Sequence, residues 1–125
     1  MSRLAEQHQS FIILAASPLV WAGHFMLCYV TAAVWCAKQD SPLVSLMTVR
    51  TAIAIYTLAA LGAIAIIWWV GYRAHRLGHE SAPHDDDSPL GRHRFLGYAV
   101  LIVSALSAIA IIYAGLTVLF IGDCR

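Results

Sequence analysis

The spacing of charged residues is what most restricts the folds open to this chain. Arg50 and Arg73 enclose 22 residues without Asp, Glu, Lys, Arg or His, and Arg94 and Asp123 enclose 28. Between Glu6 and Lys38 the only ionisable side chains are His8, His24, Cys28, Tyr29 and Cys36, none charged by default at pH 7. A helix needs about 20 predominantly apolar residues to cross a bilayer, so all three stretches qualify. Lipid offers the backbone no hydrogen bonds. A spanning segment must satisfy its own, which a helix does and an open three-stranded sheet does not. The expected fold is therefore all-α, with three transmembrane helices at about 11–36, 42–77 and 89–121 and a polar loop at about 78–88. Within the second and third helices, residues 50–72 and 95–121 are the expected spans.

Composition narrows the function classes. Apolar residues make up 60% of the chain and charged residues 12%, against roughly 25% charged in ordinary soluble domains. Outside the three runs no stretch exceeds about 22 residues, too little for a soluble catalytic domain, and a formal net charge of +1 gives no basis for binding nucleic acid. The first apolar run outlasts the hydrophobic core of a secretory signal, so it reads as a permanent helix.

Ser-Pro-Leu occurs three times, at Ser17, Ser41 and Ser88. Serine caps a helix and proline fits its first position, so the second and third copies are expected to start helices. The first copy admits two readings: the helix begins at Pro18, or it begins near Ser10 and kinks there, the favoured version. Basic residues set the orientation. Arg3, Arg73, Arg76, Arg92 and Arg94 fall on one side, and Lys38, Arg50 and Arg125 on the other. The bias predicts the N-terminus inside and the C-terminus outside of a multi-pass membrane protein. Trp68, Trp69, Tyr72, Phe95 and Tyr98 then form an aromatic belt on the inner face, with Trp35 at the outer one.

In that orientation Cys36 and Cys124 lie at the same depth on the outer, oxidising side. A structural disulfide is the expectation; two unrelated thiols or a redox-active pair are the alternatives, the last lacking a Cys-x-x-Cys spacing. Cys28, about 12 Å inward along the helix, is out of reach of that pair.

The first helix carries the only polar stripe: Ser17, Trp21, His24, Cys28, Thr31 and Trp35, spaced 4, 3, 4, 3, 4. An ionisable residue at membrane depth is a functional candidate because burying it is costly. His24 and Cys28 could face one metal or cofactor edge, but they supply only two ligands. The expectation is a neutral His24 hydrogen-bonded across a helix interface, with cofactor ligation in an oligomer or a proton relay as rivals. On the third helix Gly97, Leu101, Ser104, Ala108, Ile111, Gly115, Val118 and Gly122 form a stripe rich in small residues, and the second helix contributes Ala59 and Ala63; these are candidate packing surfaces. The inner loop holds His75, His79, His84, Asp85, Asp86, Asp87 and His93. It reads as a solvated loop, with His75 and His79 weak candidate metal ligands; no metal or other cofactor is expected.

The run from Ser17-Pro18-Leu19-Val20-Trp21-Ala22-Gly23-His24-Phe25 through Cys28-Tyr29-Val30 to Trp35-Cys36-Ala37-Lys38, and the closing Phe120-Ile121-Gly122-Asp123-Cys124-Arg125, resemble a small family of three-helix bacterial membrane proteins. That family is encoded beside subunits and assembly factors of caa3-type cytochrome c oxidases. The resemblance implies a context, a respiratory haem-copper oxidase, and brings no catalytic residue set. The expected function is a non-enzymatic accessory subunit or assembly partner of that complex, in contact with lipid and larger subunits. The rivals are a haem- or copper-binding protein using His24 in a homo-oligomer, and a small transporter or channel subunit.

Overall fold

The computed structural model describes residues 2–38, 45–79, 89–120 and 124. They form three α-helices: α1 (Ser2–Ala37), α2 (Leu46–His79) and α3 (Pro89–Phe120). Each contains a segment long and apolar enough to cross a membrane, at Phe11–Ala37, Leu46–Arg73 and Arg94–Phe120. The protein is thus a three-helix transmembrane bundle, with no strand among the described residues.

The helices outrun the bilayer. At 1.5 Å per residue α1 is about 54 Å long, against roughly 30 Å of hydrocarbon. The expected start near residue 11 marks where the apolar run begins, whereas α1 itself begins at Ser2. Its first turns are polar helix extending from the span. Pro18 lies inside α1, which is continuous; the missing N–H is tolerated in a membrane helix because neighbouring groups can re-satisfy the freed carbonyl. The α2 boundary also differs from expectation. Ser45 caps the helix, its Oγ accepting from the Thr48 N–H at 3.3 Å, so the start is set there. The Ser41-Pro42-Leu43 copy lies outside the described residues, as do 80–88 of the polar loop. The third copy behaves as proline at a first helical position should, since α3 opens on Pro89.

A disulfide joins Cys36 to Cys124, with Cα atoms 5.7 Å apart. Because it ties the C-terminal ends of α1 and α3, those helices run parallel and α2 runs antiparallel to both. α2 and α3 make the most extensive contact and α1 and α2 the least. Glycine explains the first. A Cβ on Gly97 would lie 2.9 Å from the His75 backbone N and 3.1 Å from the Gly71 carbonyl, and one on Gly71 would lie 2.8 Å from Val100 Cγ1. Near Gly115 the neighbour is Thr57, with Oγ1 3.0 Å from such a Cβ. These close approaches are how helices gain dispersion energy where water supplies no drive toward association.

The core is two small apolar clusters. Toward the disulfide, Cys28, Val49 and Ile53 pack with Trp35 and Val118. Deeper in the bundle, Ala60, Ile64 and Ile111 pack with Val20, Leu61, Ile67 and Ala108. Outside them most large side chains face outward, Leu58 at 71% exposure and Tyr113 at 70% among them.

Two packing expectations are corrected by this arrangement. Ala59 is exposed, and its neighbour Ala60 is buried. The buried face of α2 passes through Val49, Ile53, Ala60, Ile64 and Gly71, spaced 4, 7, 4 and 7, which puts position 59 about 100° away. Ala63, on the flank of that face, is half-buried. On α3, Val100 is buried where Leu101 was expected, and Leu101 is half-buried. Gly97, Ser104, Ile111 and Gly115 are buried, while Ala108 and Val118 are half-buried.

Candidate functional site

The buried polar groups of α1 fall on one face, and each is met by a neighbouring helix. Ser17 and Ser104 share a hydrogen bond of 2.8 Å between their hydroxyls, at 1% and 0% exposure. Two turns on, His24 Nε2 lies 3.0 Å from Thr57 Oγ1. The Thr57 hydroxyl donates to the Ile53 carbonyl at 2.8 Å. A hydroxyl has one hydrogen, so at His24 the Thr57 oxygen accepts and Nε2–H donates. In the neutral ring the bare nitrogen is then Nδ1. That atom is buried and has no hydrogen-bond partner among the described residues. Cys28 Sγ stands 3.5 Å from Nε2 and is a free, buried thiol.

His24 and Cys28 are each 3% exposed, so the i, i+4 pair does face the bundle. The rest of the expected stripe divides. Thr31 and Trp35 are half-buried, and Trp35 packs on the Cys28 cluster. Trp21 is exposed, at 38%; Val20 takes its place against the core. A 4, 3 spacing fits both positions nearly equally, and the bulky indole goes to the outside, where its N–H is not confined among apolar side chains.

Thr57 is the site residue that sequence reasoning missed. A threonine in an apolar helix bonds readily to its own i−4 carbonyl, as Thr51 and Thr117 also do here, so it carries no distinguishing local signal. Gly71, Ala60 and the buried Ser107 were missed as well. A usable signal existed for Thr57: an antiparallel α2 brings its middle to the depth of His24.

His75 is not free to serve as a metal ligand through Nδ1, which donates to the Arg94 carbonyl at 3.4 Å; its ring lies 6.0 Å from that of Tyr98. The backbone of His79 closes α2, while its side chain, His84, the three aspartates and the side chain of His93 lie outside the described residues. Among the described residues no group of three or more His, Cys, Asp or Glu could hold a metal ion. Near the disulfide end, Arg50 is half-buried on α2 and its Nε is buried without a partner among the described residues.

The chain finds no match among protein-family models, among curated proteins or among solved structures.

Proposed function

We propose that this chain is a non-catalytic subunit or assembly partner of a larger membrane complex, and that the complex is a respiratory haem-copper oxidase of a bacterial inner membrane. The observation that carries the first part is the contrast among its glycines. Gly71, Gly97 and Gly115 are all consumed in contacts within the bundle, whereas a Cβ on Gly23 or Gly62 would meet nothing within 4 Å. Glycine costs about 1 kcal/mol relative to alanine inside a helix. Gly23 adjoins the exposed Ala22, and Gly62 follows the exposed Ala59 by three residues. Because His24 meets Thr57, the two patches lie within about one and a half turns of the same depth. Small exposed facets of this kind suit the close approach of a further helix. The oxidase, and an orientation with the C-terminus outside, rest on the resemblance of the two chain ends and on the basic-residue bias.

The cofactor reading has one specific observation in its favour, the unpartnered Nδ1 of His24. Against it, Nε2 is already bonded to Thr57, and only the Cys28 thiol stands nearby. An optical spectrum and metal analysis of the detergent-purified protein separate the two readings. A Soret band or stoichiometric copper lost on His24→Leu would replace the scaffold reading.

The test of the proposal is copurification. After mild extraction oxidase subunits should accompany the chain, and Gly62→Leu should release them while leaving the bundle and its disulfide intact. Normal oxidase levels and turnover in a deletion strain, with no oxidase subunit copurifying, would overturn the assignment.

A further inference from the structure

Between α1 and α2, toward the disulfide end, lies a groove of about 290 Å³, open along one side and walled chiefly by Val30, Val34, Trp35, Val49 and Ala52. Its walls belong to the segments Phe11–Ala37 and Leu46–Arg73, so it opens onto hydrocarbon. A gap left empty there forfeits the dispersion contacts of every atom lining it, so an apolar occupant is favoured. A flexible aliphatic chain can follow such a groove without the fixed diameter of about 10 Å that a helix needs.

The end of the groove has a charge. The Lys38 N–H bonds to the carbonyls of Val34 and Trp35, each at 3.1 Å, so the helical path continues through Lys38. Its side chain therefore emerges one turn beyond two of the groove's wall residues, and it is exposed. A long cationic side chain at a helix end reaches toward the headgroup layer. Apolar walls at membrane depth, capped on the same helix face by an ammonium, match one amphiphile. We infer that this groove binds an anionic phospholipid, with an acyl chain along Val30, Val34 and Ala52 and the phosphate at Lys38, in the leaflet at the disulfide end.

Trp35, as a groove wall, provides the readout. Trp21, Trp68 and Trp69 are exposed, so Trp21→Phe, Trp68→Phe and Trp69→Phe leave Trp35 as the sole tryptophan, excited selectively at 295 nm. The protein is reconstituted in phosphatidylcholine vesicles containing a minor fraction of either chain-brominated phosphatidylglycerol or chain-brominated phosphatidylcholine. Brominated phosphatidylglycerol should quench Trp35 about five-fold more effectively per mole, the selectivity expected from one cation facing an anionic lipid. Ala52→Leu, which fills the groove, should abolish the excess. Lys38→Gln, at an exposed position outside the core, should equalise the two lipids without disturbing the disulfide. Equal quenching by both lipids in the unsubstituted Trp35 protein, or an excess that survives both substitutions, overturns the inference. So does a photoreactive residue at Val34 that attaches in native membranes to another protein chain and not to lipid.

Discussion

Ser17 and Ser104 meet across α1 and α3 at 2.8 Å, nineteen residues before Cys36 and twenty before Cys124, which are themselves bonded. The two parallel helices are thus locked in register at points about 29 Å apart along α1, close to the thickness of the hydrocarbon. Sliding one helix past the other would break both locks. Ser104→Ala should therefore leave a buried Ser17 hydroxyl unpaired and destabilise the bundle by about 1 kcal/mol, as should Ser17→Ala. The double variant should cost less than the two combined. Reversible unfolding in mixed micelles measures all three, and additive costs would mean that the hydroxyls do not interact.

The disulfide is the second lock. In water a cross-link closing a loop of this length is worth about 4.6 kcal/mol through the unfolded state. In a bilayer the three helices remain inserted when they separate, so less freedom is removed. Cys36→Ser should cost about 2 kcal/mol, the low end of the usual range. Peptide mapping without reductant should recover the Cys36 and Cys124 peptides joined, with Cys28 free.

Glycine substitutions should rank by what the new methyl group meets. Gly97→Ala pushes against the backbone of His75 and Gly71, which can yield only by separating α2 from α3. A loss of about 3 kcal/mol is expected, the upper end for overpacking. Gly115→Ala meets the Thr57 side chain, so its cost should be smaller and accompanied by disturbance of the His24 contact. Gly23→Ala and Gly62→Ala meet nothing and should be neutral or slightly stabilising in the isolated protein. Equal melting temperatures for Gly97→Ala and Gly62→Ala would contradict the packing described above.

His24 and Thr57 form the link between α1 and α2 in the middle of the bundle. Thr57→Val keeps the side-chain shape and removes the hydroxyl acceptor, leaving the buried Nε2–H only the weakly accepting Cys28 sulfur at 3.5 Å, at a cost of about 1 kcal/mol. His24→Leu releases Thr57, which retains its bond to the Ile53 carbonyl. The asymmetry predicts that Thr57→Val in the His24→Leu background costs much less than in the native one. A ring-nitrogen NMR shift should report protonation at Nε2 in the native protein and its change in Thr57→Val.

Much of this was legible in the sequence because membrane insertion imposes long uncharged runs, and those runs reveal helices without any knowledge of their packing. The face of α1 was legible too, since Ser17, His24 and Cys28 are its few polar groups and share one stripe. α2 offered no such contrast. Its middle, Ala59-Ala60-Leu61-Gly62-Ala63-Ile64, is apolar all round, so small residues alone could not say which side meets a neighbour. The register of α2 is decided by contacts the sequence does not display: His24 on Thr57, and Gly97 against Gly71 and the backbone of His75. The start of α1 was not legible, because an apolar run marks hydrocarbon depth while helical hydrogen bonding continues beyond it, here to Ser2.

That ambiguity yields the sharpest test of the bundle. Ala60 is 8% exposed and packs with Ile64 and Ile111, while Ala59 is exposed. Ala60→Leu adds three carbons to a filled core, where overpacking costs roughly 1–3 kcal/mol and forces α2 away from its neighbours. Ala59→Leu puts the same atoms into lipid, which is as apolar as leucine, so the isolated bundle should be unaffected. The two substitutions are identical in hydrophobicity and helix propensity and differ only by 100° of rotation. Thermal unfolding should therefore drop for Ala60→Leu alone. If Ala59→Leu instead weakens recovery of a copurifying complex at unchanged melting temperature, the facet beside Gly62 is where a partner helix approaches.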